Sequence, residues 1–124
     1  EPSKELERAK PEDAANTPNV PLGLVLSVCQ EFKTYVPDKI RHWHELFQAA
    51  DQIRPMLGIS PSAWAEAVEV MGAEEAAVVL LAILERFDDI RSPGGYLRSL
   101  SVKAATDGFS CGPMIMALMR RKAA

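Results

Sequence analysis

The sequence predicts an all-α fold, a compact bundle of five to six short helices. Three observations predict it. Apolar residues recur at i, i+3, i+4 and i+7 along most of the chain after residue 20, and no useful stretch alternates with period two. Proline and glycine punctuate that pattern at regular intervals, with Ser-Pro pairs opening segments and glycines closing them. One segment, Ala76 to Leu84, is apolar on every side, as a helix enclosed by others must be.

Residues 1–20 stand apart. They hold Pro2, Pro11 and Pro18 among many charges and almost no large apolar side chain, so they cannot bury enough surface to offset their ordering entropy. We read them as a linker, mostly flexible, and residues 21–124 as the helical domain. The absence of an initiating methionine suggests a fragment with another domain upstream. Pro21 is suited to a first helical position, and Leu22, Val25, Leu26 and Cys29 then form one stripe, which Pro37 stops. Asp38 is read as the cap of the next helix, whose stripe is Leu46, Ala50, Ile53 and Leu57. Pro55 lies within that stripe, so this helix either kinks near Asp51 or ends early, and Gly58 closes it.

Ser60-Pro61 restarts the chain, with Ser60 as N-cap. Trp64, Ala67, Val68 and Met71 make that helix's inner face, and Gly72 ends it. Glu74 and Glu75 suit the positive start of the next helix, which runs through AAVVLLAIL and is expected to be central, with Leu80 and Leu84 almost fully buried. Ser92-Pro93 repeats the start, Leu97, Leu100, Ser101 and Ala104 share a face, and Gly108 terminates. Ser110 is placed to cap a last helix that runs through Met114 to Lys122.

Charge is unevenly divided. The net charge of −3 gives no global attraction to nucleic acid. Residues 1–90 carry eight Lys/Arg against sixteen Asp/Glu, whereas residues 91–124 carry six against the single acid Asp107. Such a split points to a local anionic partner or to two ends that are simply solvated. The longest apolar run is nine residues against about 20 needed to cross a bilayer, and the first ten residues are polar, so a cytoplasmic protein is expected, with no membrane partner.

Candidate chemistry is sparse. His42 and His44 are two apart, which on a helix sends them to different faces and makes no metal pair. Cys29 and Cys111 fit no metal or redox spacing and read as two buried thiols. Ser60 and Ser92 are explained as caps, and the pairs Glu74-Glu75 and Asp88-Asp89 belong at helix ends. No catalytic constellation, cofactor, metal site or small-molecule substrate is predicted. Binding signals are stronger. In IRSPGGYLR, Gly94 and Gly95 fall in a first helical turn, where backbone N–H groups lack partners. Arg91 and Arg98 flank them, a set able to hold a phosphate or carboxylate; equally, the glycines would permit close helix contact while the arginines pair with acids. Lys103 adds to the basic third, and Tyr96 and Phe109 are available for stacking. Met114, Met116 and Met119 make the last helix a candidate partner surface or core filler, and Arg120, Arg121 and Lys122 suit either its negative terminus or a phosphate.

Four strings, IRPMLGISPSAW (53–64), AEEAAVVLLAILER (73–86), IRSPGGYLRSL (90–100) and GFSCGPMIMALMR (108–120), together resemble the C-terminal domain of RepC. That family comprises the replication initiators of repABC-type bacterial plasmids. The resemblance covers residues 22–121, with Cys111 standing where a leucine or similar residue is expected. It implies a role at the plasmid origin, with sequence-specific binding attributed to an upstream winged-helix region. SPGGYLR is also similar to the SPxxYL element of DnaD-like domains, over a few residues. The implied module either contacts origin DNA, single- or double-stranded, or serves purely protein interaction, with host replication proteins or itself.

Overall fold

The structure is a computed structural model, and it describes residues 19–123. The six helices among them are α1 (Leu22–Val28), α2 (Trp43–Ile53), α3 (Pro61–Met71), α4 (Ala73–Glu85), α5 (Pro93–Thr106) and α6 (Gly112–Ala123). Short 3₁₀ turns cover Glu31–Thr34, Arg54–Leu57 and Phe87–Asp89, and no strand occurs among the described residues.

Helix α4 is the axis of the fold. Every residue from Glu75 to Ile83 is buried, and α2, α3, α5 and α6 all pack on it. Its apolar circumference leaves no polar face for water, so the other helices close around it. Helices α3 and α5 pack as a pair, and α1 lies against α6. Leu80 is fully buried, but Leu84 is only half-buried, because it falls in the last turn where the neighbouring helices have diverged into 3₁₀ turns.

The serine–proline starts form as the sequence predicts. Ser60 Oγ accepts from Ala63 N at 3.1 Å and Ser92 Oγ accepts from Gly95 N at 3.1 Å, each with proline at the first helical position. Gly58 (φ 75°) closes the turn after α2, and Gly72 (φ 90°) separates α3 from α4 by a single residue, conformations that a side chain would strain. Pro55 resolves as an early end, with α2 stopping at Ile53 and the chain tightening into a 3₁₀ turn.

Two boundaries differ from the sequence reading. Helix α1 ends at Val28 rather than at Pro37, and the chain turns so that Phe32 becomes buried in the core. Helix α2 begins after His42, not at Asp38: Glu45 Oε1 accepts from the backbone of Arg41 (2.7 Å) and His42 (3.0 Å), satisfying two donors that Asp38 does not reach. Since His42 lies outside the helix in extended backbone, its ring folds over His44, with centroids 5.6 Å apart, instead of facing away from it.

Asn19 and Val20, within the expected linker, pack with the helical region. Val20 is buried in the core, and Asn19 Oδ1 accepts from Ser110 Oγ at 2.9 Å. The remainder of the expected linker, residues 1–18, lies outside the described residues. Trp64 packs inward, its Nε1 donating to Asp51 Oδ1 at 3.0 Å and its ring stacked on Phe47.

Candidate functional site

The structure separates the predicted basic residues into three groups. The first is the IRSPGGYLR turn. The Gly95 N–H is taken up by Ser92 Oγ, and a Cβ on Gly95 would lie 3.0 Å from that oxygen, so the glycine serves the cap. Gly94 sits over the Gly58–Ile59 turn, where a Cβ would be 3.8 Å from the Gly58 carbonyl. Arg98 reaches across to α3, donating to Ser62 Oγ (3.3 Å) and lying 3.6 Å from Glu66. Both partners of that ion pair are about half exposed, so it contributes no more than about 1 kcal/mol. Arg91 is exposed beside the turn. These residues therefore start α5 and seat it on α3.

The end of α6 is similarly engaged. Arg121 pairs with Asp89 at 3.0 Å, and Lys122 Nζ lies 2.8 Å from Glu85 Oε1. The Glu85 side chain is 2% exposed and its other oxygen accepts from Glu31 N at 2.7 Å, so it ties α4, α6 and the first 3₁₀ turn together. The hydrogen bond to Glu85 raises the Lys122 ammonium pKa. Met119 packs against the core.

The remaining candidates converge. Between α5 and α6 runs a groove of about 340 Å³. Helix α5 contributes Tyr96, Leu100 and Lys103, which recur at i, i+4 and i+7 and so share a face. The connecting loop adds Phe109 and Ser110, and α6 adds Pro113 and Met114. Tyr96, Lys103, Phe109 and Met114, singled out separately in the sequence, thus line one cavity. Along α6, Pro113, Met116 and Arg120 recur at i, i+3 and i+7 and so share a helix face; all three are exposed, and of these Pro113 lines the groove.

A buried contact holds the loop in place. Glu75, in the first turn of α4, accepts from the backbone N of Cys111. Burial raises the Glu75 carboxyl above the ordinary glutamate range, against the opposing effect of that hydrogen bond. Ser110 Oγ accepts from Gly112 N at 3.2 Å, capping α6 from two residues before its first helical position. Burial pushes the Cys111 thiol up to about 12, and the Glu75 charge adds to this; burial and Glu85 do the same for Cys29. Both thiols are free and buried, far from thiolate reactivity.

Residues 21–121 match the family described as the replication protein C C-terminal region. The chain belongs to this family. Two relatives bear the name "Putative replication protein C". The one from Rhizobium rhizogenes is 48% identical over 101 residues, covering 81% of this chain and 25% of the relative. The one from Sinorhizobium fredii (strain NBRC 101917 / NGR234) is 48% identical over 103 residues, covering 82% and 26%. The chain spans about a quarter of the length of these relatives. No solved structure matches it.

This replication protein C region also presents a surface that the sequence reading missed. Tyr35, Met56 and Phe87, each about half exposed, line a shallow cavity of about 150 Å³ with Leu57 and Leu84. Each comes from or adjoins a different 3₁₀ turn. The available signal was that Met56 and Phe87 fall outside every helical stripe. Among the described residues, no group of three or more His, Cys, Asp or Glu is arranged to hold a metal ion, and no helix is long and apolar enough to cross a membrane.

Proposed function

We propose that this replication protein C region is a non-enzymatic module that acts in the cytoplasm in the initiation of plasmid replication and contacts origin DNA through the α5–α6 groove. The observation behind this reading is the convergence of Tyr96, Phe109 and Lys103 on one cavity. Family membership supports the replication role, and the exposed Arg120 supports an anionic ligand. Caps and interhelical ion pairs occupy Ser60, Ser92, Glu85 and Asp89, so these polar groups serve architecture. Anisotropy of labelled origin DNA with this chain, measured over a range of salt, tests the reading. Lys103→Gln and Arg120→Gln should each weaken binding and flatten the salt dependence by about one unit. Unchanged affinity and slope in both variants would refute the contact.

A second reading, recruitment of host replication proteins or self-association, is favoured by the exposed Met116 and by the Tyr35–Met56–Phe87 surface. Sedimentation of the chain alone, followed by Met116→Gln and Phe87→Gln variants, separates self-association from the DNA reading.

A further inference from the structure

We infer that the α5–α6 groove takes unpaired DNA nucleotides, with bases stacking on Tyr96 and Phe109 and phosphates meeting Lys103 and Arg120. This rests on the DNA-contact reading and specifies the form of DNA. The two rings line the same cavity, yet the stacked ring pairs among the described residues are His42–His44 and Phe47–Trp64, so Tyr96 and Phe109 do not stack on each other. Both rings are partly buried against the core, and the portion of each that lines the cavity is the surface offered to a base. A base within a duplex has both faces covered by its neighbours and cannot enter a cavity between two helices, whereas an unpaired base offers its π-faces freely.

Charge and rigidity agree with that occupant. Lys103 is the one charged residue lining the groove. Arg120 lies on the Pro113 face, about 10 Å further along the α6 axis, which sets a second cation beyond the groove on the same helix face. The nearest acid along the chain is Asp107, next to Gly108 at the groove's edge, and it opposes an anionic ligand. Phe109 is held by the contacts on either side of it: Gly108 turns with φ 80°, Ser110 binds Asn19 and Gly112, and Glu75 fixes Cys111. The platform is thus formed before any ligand arrives, which lowers the ordering cost of binding.

The test uses the whole chain with a short fluorescein-labelled oligothymidine and with a labelled duplex of equal length. The single strand should bind about tenfold more tightly. Tyr96→Leu and Phe109→Leu should each weaken single-strand binding about tenfold, about 1.4 kcal/mol, and leave duplex binding unchanged. Tyr96→Phe keeps the ring and should retain affinity, while Asp107→Asn should strengthen binding. Far-UV circular dichroism melts establish that each variant folds; should Phe109→Leu not fold, the contrast between Tyr96→Leu and Tyr96→Phe decides. Equal or preferential duplex binding with harmless leucine variants overturns the stacking inference and leaves DNA contact standing. Binding of neither probe overturns both.

Discussion

Glu75 is the most informative position for stability, because its charge and its acceptor role oppose each other. It is buried in the first turn of α4, and its carboxylate accepts from Cys111 N, a donor at a fully buried residue. Glu75→Ala leaves that N–H without a partner, at a cost of about 1–3 kcal/mol. Glu75→Gln presents an amide oxygen at the same place and removes the desolvation of a charge, so it should fall within about 0.5 kcal/mol of the parent or exceed it. The pH dependence follows from the direction of the shift. Burial raises the folded-state pKa, so the contribution from Glu75 is fully present below the ordinary glutamate value near 4.3 and is lost as pH rises through the raised folded value. The Gln variant should lack this component. Urea unfolding of the parent and both variants, at mildly acidic and neutral pH, reads these differences as shifts in midpoint at constant m. If Glu75→Gln costs as much as Glu75→Ala, the charge itself holds the α4 and α6 N-termini, and the acceptor argument fails.

Further outcomes are expected elsewhere in the fold. Leu80→Ala should cost about 2–5 kcal/mol in urea unfolding, and Leu84→Ala roughly half as much because that side chain already meets solvent; equal losses would contradict the burial difference. Lys122→Met should cost about 1 kcal/mol, discounted because the lysine is half exposed. The raised Lys122 pKa means that this contribution is present at neutral pH and lost as pH climbs through the folded value, above the ordinary lysine value near 10.4, so alkaline melts of parent and variant should converge. Arg98→Gln should cost under about 1 kcal/mol and leave the salt slope of DNA binding unchanged, since its guanidinium is turned to Ser62 and Glu66; a flattened slope would return Arg98 to the DNA surface.

What was legible in the sequence was whatever local chemistry decides. Ser60-Pro61, Ser92-Pro93, Gly58 and Gly72 set helix limits through caps, a missing N–H and left-handed backbone, none of which requires knowledge of the rest of the chain. The central helix was legible for the same reason, as nine consecutive apolar residues have one physical solution. The end of α1 was not: no glycine or proline marks Val28, and the turn is set by the tertiary burial of Phe32. Charge shows the distinction most clearly. In the linear sequence the last third is strongly basic, but folding brings Glu66 to Arg98, Glu85 to Lys122 and Asp89 to Arg121. The acids counted in the first ninety residues thus meet half of the cations counted after them, and the apparent asymmetry is partly spent on joining helices. Lys103 and Arg120 have no ion-pair partner among the described residues and stand in and beside the groove that holds Tyr96 and Phe109. A charge count therefore sees six cations in one stretch of chain, whereas only the fold, which seats α5 on α3 and α6 on α4 and α1, sorts them into those that join helices and those without an ion-pair partner among the described residues.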